Sequence, residues 1–128
     1  MNKYKNFKSS EFDSPDLKGS GENMQDSFME KLQKAREIAQ TPFVITSGFR
    51  TKNYQEDLRK RGYKTSKTTS PHETGHACDI SCKDSKARWL IIGSLMLAGF
   101  TRFGIGQSFI HVDDCPKRTN NRIWTYEY

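Results

Sequence analysis

Two histidines and an aspartate sit in two short apolar segments far apart in the chain. Residues 70–79 read Ser-Pro-His-Glu-Thr-Gly-His-Ala-Cys-Asp and supply His72 and Asp79; residues 109–113 read Phe-Ile-His-Val-Asp and supply His111. Imidazole nitrogen and carboxylate oxygen together suit Zn²⁺, and three protein ligands leave a fourth position for water, as hydrolytic sites do. Taken alone, a histidine beside an apolar strand most often serves a structural hydrogen bond. Asp79 is harder to place that way, because a carboxylate inside an apolar strand must be paired or metal-bound to offset its desolvation.

Strand alternation sets the geometry. Read as strands, Ala77, Asp79 and Ser81 share one face, and Cys78, Ile80 and Cys82 the other. Phe109, His111 and Asp113 likewise share a face, with Ile110 and Val112 turned to the core. His111 and Asp113 are then neighbours, about 7 Å apart along the strand. Gly75 allows a sharp turn or a close approach to the metal. Gly104, Gly106, Gln107 and Ser108 read as a hairpin turn that pairs this strand with residues 101–105.

Ser70, His72, Gly75, Ala77 and Asp79 match the signature Ser-x-His-x-x-Gly-x-Ala-x-Asp. On it the chain resembles the zinc D-alanyl-D-alanine carboxypeptidases, the peptidase M15 family. Phe109 to Asp113 is similar to that family's second motif, Thr46 to Thr51 to its arginine turn, and Phe7 to Phe12 to the start of its compact branch of phage lysins and bacterial wall peptidases. The resemblance runs from about residue 7 to Trp124. It implies Zn²⁺ held by His72, Asp79 and His111, and hydrolysis of a peptide bond in peptidoglycan stem peptides. Arg50 would bind the substrate carboxylate or the oxyanion, with Ser47 and Ser70 in the substrate site. The acid or histidine that many relatives carry two or three residues before the last ligand is replaced by Phe109 and Ser108. Asp113 is therefore the expected catalytic base, its alternative being to orient a ligand histidine, with Glu73, His76 and Asp114 next in line. A zinc-containing binder of wall peptides without catalysis is the alternative function.

The chain has 128 residues and a net charge of +6, which suits an anionic partner such as the peptidoglycan wall. Its basic residues are scattered and form no nucleic-acid motif, so nucleic acid is not expected. Three cysteines cannot all pair, which points to reduced thiols. The basic start leads to no apolar stretch, so a secretory signal is not expected. Residues 89–100 are apolar but too few to span a bilayer, and read as a buried helix with no membrane partner. The expectation is one monomeric domain over residues 1–128 with a flexible lead at 1–6. It would be made in the cytoplasm and reach the wall by lysis, in a virion or by another export route, the first two as a phage-encoded lysin does.

The positioning elements follow from periodicity. A loop over 13–21 precedes a helix from Glu22 to Ala39 with Met24, Phe28, Leu32, Ala35 and Ile38 on its core face. A strand over 43–46 delivers the Arg50 turn, and Thr51 caps a helix that stops at Gly62. Residues 64–70 are expected as an exposed cleft rim. Ser85 caps a third helix, burying Leu90, Ile91, Met96 and Leu97 and ending at Gly99. Strands near 101–105, 108–113 and 122–126 follow, with Trp124 and Tyr126 as an aromatic cleft wall or core. The expected class is α+β with a mainly antiparallel sheet. The family resemblance implies a small sheet with helices on one face and the zinc groove on the other, of the hedgehog and DD-peptidase kind.

Overall fold

The computed structural model describes residues 3–63 and 69–126. Five strands form one sheet: β1 (Ile45–Ser47), β2 (Ala77–Ser81), β3 (Arg102–Ile105), β4 (Phe109–Asp113) and β5 (Arg122–Thr125). Their spatial order is β1-β2-β4-β3-β5, antiparallel throughout except for the parallel pair β3 and β5. Three helices accompany them: α1 (Asp26–Ala39), α2 (Lys52–Lys60) and α3 (Ser85–Leu97). The class is α+β, as expected.

Alternation sorts the two faces of the sheet. Cys78, Ile80, Ile110 and Val112 are buried in one cluster with Phe28, Leu32 and Ala35 of α1 and Ile91 and Leu95 of α3. Each of the isoleucine, leucine, valine and phenylalanine side chains contributes about 1.5–3 kcal/mol when fully buried. A one-residue slip of β2 or β4 would turn that set outward and drive Asp79 and His111 into the core, so packing fixes the register on which the site depends.

Several boundaries differ from expectation for visible reasons. The first helix begins at Asp26, after a separate 3₁₀ turn over Ser20–Asn23, because Met24 is extended and the Gln25 N–H donates to the Gly75 carbonyl. Ile38 is exposed, and Ala39 takes its place on the core face. The first strand starts two residues later than expected and ends one residue nearer the Arg50 turn. Asp84, not Ser85, caps α3 by accepting from the Ala87 N–H, and the helix turns at Gly99 with positive φ. Trp89 and Leu97 are 77% and 72% exposed and Met96 is also exposed, so the apolar run is buried on one side only. Gly104 lies within β3, and the hairpin turn is confined to residues 106–108.

Of the cleft rim expected over 64–70, residues 64–68 fall outside the described residues, and Ser70 is buried. Residues 3–6 of the N-terminal lead are tied to α1, through Tyr4 to Asp26 and through Asn6 to Gln33. Cys78, Cys82 and Cys115 are buried and unpaired. Among the described residues no helix is long and apolar enough to cross a membrane.

Candidate metal centre

The strand register builds the site as a row. Ser47 pairs with Asp79, Asp79 with His111, His111 with Gly104 and Gly104 with Trp124, so one residue from each strand lines up across the face away from the core. His72 joins this row from the loop before β2. That loop is laced to the turn after β1, because the Arg50 N–H donates to the His72 carbonyl at 3.0 Å. The turn is itself strapped by the N-terminal segment: the Phe49 N–H donates to the Phe12 carbonyl, and the Thr51 N–H to Ser14 Oγ. A Cβ on Gly48 would lie 2.6 Å from the Phe12 Cα, so only glycine lets the two segments close.

His72, Asp79 and His111 each present one ligand atom, and these three atoms all lie within 4.8 Å of one another. His72 Nδ1 is 2.8 Å from the Gly48 carbonyl, which can only accept, so Nδ1 carries the proton and Nε2 is left facing Asp79 Oδ1 at 3.5 Å. His111 Nδ1 lies 3.0 Å from the same oxygen, while its Nε2 is 2.8 Å from Asp113 Oδ2. Each histidine thus has one nitrogen anchored to an oxygen and the other turned to the centre, the arrangement that fixes ligand tautomers in metal sites. The donor set and its orientation fit Zn²⁺.

Burial shapes the charges of this cradle. It pushes the His72 imidazole towards its neutral form, the form a metal needs. At Asp79 burial acts to raise the carboxyl, but His72 and His111 outweigh it and hold it well below the usual range. His111 would be lowered by burial, but its hydrogen bonds to Asp113 and Asp79 raise it to about 9.

Asp113 is 1% exposed and stands behind His111, at the ring nitrogen turned away from Asp79. Its other oxygen accepts from Arg102 Nε at 2.7 Å and from the Cys115 N–H at 3.4 Å. Burial acts to raise its carboxyl, but His111 and Arg102 lower it, so it is ionised. Arg102 continues the chain by donating to the Thr119 carbonyl, and its guanidinium lies 5.0 Å from the Trp124 ring. Sequence reasoning missed Arg102. The available signal was a basic residue at a strand start, one pleat from a glycine.

Arg50 flanks the cradle on the β1 side. Its Nε donates to Ser47 Oγ at 3.0 Å, Nη1 to Gln55 Oε1 at 3.3 Å, and Nη2 to Asp79 Oδ2 at 3.5 Å. A guanidinium has five donors, so one N–H on each terminal nitrogen remains for a ligand. Gln55, buried at 2% on α2, was also missed; an amide inside a highly charged helix gives no sequence signal of its own. Ser70 is buried and its Oγ accepts from the His72 N–H. Glu73 accepts from the Ser70 N–H, and His76 pairs with Asp114, which also meets Lys31. Gly75 does adopt positive φ, but its close approach is to Asn23 and not to the metal cradle.

No curated protein and no solved structure matches the chain. The Peptidase M15 profile matches residues 5–113, a span that contains the arginine turn and all three cradle residues. The chain therefore belongs to the peptidase M15 family, the zinc metallopeptidases.

Proposed function

We propose that this protein hydrolyses a peptide bond in peptidoglycan stem peptides, as a D-Ala-D-Ala carboxypeptidase or as an endopeptidase on the same peptides. The observation that supports it is the pairing of a metal cradle with a carboxylate receptor. Arg50 lies against Asp79 with a donor left on each terminal nitrogen, a fork suited to a peptide carboxylate or to a developing oxyanion. His72, Asp79 and His111 would hold the Zn²⁺, which would supply Lewis-acid chemistry towards a carbonyl and a water. The chain's own residues do the rest. Gly48 and Asp113 fix the ligand tautomers, Ser47 and Gln55 hold the guanidinium, and Ser70 holds the His72 loop. Such a substrate would bring the protein to the cell wall.

Both Asp113 oxygens are engaged by His111 and Arg102, which favours orientation of the ligand over proton abstraction. Asp113→Asn should then lower zinc affinity by roughly 10–100-fold, with cleavage recovered at excess zinc. A loss of about 100-fold or more that persists at saturating zinc would return Asp113 to the role of base.

The direct test of the function is mass spectrometry of purified muropeptides incubated with the protein, with zinc or with chelator. Loss of a terminal D-alanine indicates a carboxypeptidase, and internal scission an endopeptidase. Intact muropeptides at full zinc loading would sink the reading.

A further inference from the structure

Beyond Asp79 and His111, the row across the sheet continues to Gly104 and Trp124. A Cβ built on Gly104 would lie 2.7 Å from Trp124 Nε1 and 2.7 Å from both Cε2 and Oη of Tyr126. The space a side chain would take is filled by two aromatic residues leaning inward from the sheet edge. Trp124 reaches His111, with ring centres 5.6 Å apart, and Tyr126 is propped by Phe109 at 5.3 Å. Both are half-buried, so they wall the cradle on the flank opposite Arg50 while remaining open to a ligand.

The Trp124 indole, a donor only, makes a hydrogen bond to the Tyr126 hydroxyl. The phenol therefore accepts from Trp124 and keeps its own proton for another acceptor. Burial first, then the carboxylates of Asp79 and Asp113, push this phenol up to about 12 against the opposing effects of Trp124 and Arg50. It is protonated at neutral pH. The same charges show that the hydroxyl is within electrostatic reach of both the cradle and the arginine.

We propose that the Tyr126 hydroxyl is a second substrate-facing donor of this site, giving its hydrogen bond to the scissile carbonyl oxygen as that oxygen gains negative charge, with Trp124 and Gly104 holding it in place. This rests on the peptidase reading above. Tyr126 touches the substrate, whereas Trp124 and Gly104 are positioning residues. Arg50 from the β1 flank and Tyr126 from the β5 flank then grip a peptide that runs across the strands. The phenol proton is shared in a hydrogen bond and not transferred, so no bond to Tyr126 forms or breaks.

Tyr126→Phe keeps the ring against Phe109 and removes only the hydroxyl. At one zinc per chain it should lose about 100-fold in kcat on a D-Ala-D-Ala muropeptide with KM nearly unchanged, as removal of a donor used chiefly in the transition state does. Gly104→Ala should reproduce that loss with zinc retained, since its Cβ displaces both aromatic residues. Wild-type kcat in Tyr126→Phe would overturn the proposal and leave the peptidase reading standing. If the wild type cleaves no muropeptide, the peptidase reading fails by itself. Calorimetry with a phosphinate analogue of D-alanyl-D-alanine then decides the donor role, which needs weaker binding by Tyr126→Phe and is overturned by equal binding.

Discussion

Zinc content in His111→Ala is expected to fall far below one equivalent per chain, and muropeptide cleavage to fall with it. Three donors lie within 4.8 Å of one another, and this change leaves two. Loss of an outer-sphere partner already costs about 10–100-fold in metal affinity, and loss of a ligand costs more. The sheet should survive. Asp113 keeps Arg102 and Asp79 keeps Arg50, so neither buried carboxylate is stranded without a cation. The apolar packing of Ile110 and Val112 lies on the other face of β4 and is untouched. Elemental analysis alongside circular dichroism separates the two effects. Undiminished zinc in a folded variant would overturn the ligand assignment, and global unfolding would show that His111 serves the fold as well as the metal.

The cradle was legible in the sequence because two kinds of signal coincided there. Strand alternation put Asp79 and His111 on one face, and the spacing of Ser70, His72, Gly75, Ala77 and Asp79 carried the family resemblance. What lay outside local pattern was harder to read. Gly104 looked like a turn residue beside Gly106, since glycine pairs punctuate hairpins. Only the cross-strand register shows that its missing side chain is what admits Trp124 and Tyr126. Arg102 and Gln55 act through partners 11 and 5 residues away, contacts that no periodicity encodes. The α3 stripe failed for a different reason. A helix apolar on all sides is usually buried all round, but this one packs against α1 on one side and leaves Trp89 and Leu97 outside.

Arg50→Ala is expected to retain the fold and zinc while losing cleavage by about 100–1,000-fold, the range for removing one preorganised donor to a developing charge. The geometry adds a complication, because Arg50 also meets Asp79 of the cradle at 3.5 Å and could act by holding that carboxylate. The two roles separate on substrate chemistry. If the free N–H groups grip a terminal carboxylate, wild type should prefer a free-acid peptide strongly over its C-terminal amide, and Arg50→Ala should erase that preference. If Arg50 only steadies Asp79, both peptides should suffer alike and zinc affinity should drop with them. Arg50→Lys should rescue poorly. A single ammonium cannot reach Ser47, Gln55 and Asp79 together and still present two parallel donors, as the planar fork does. Loss confined to the free-acid peptide would also favour carboxypeptidase action, since an endopeptidase has no terminal carboxylate beside its scissile bond. Wild-type turnover on both peptides in Arg50→Ala would remove the guanidinium from the mechanism and leave oxyanion stabilisation to the metal and the β5 flank.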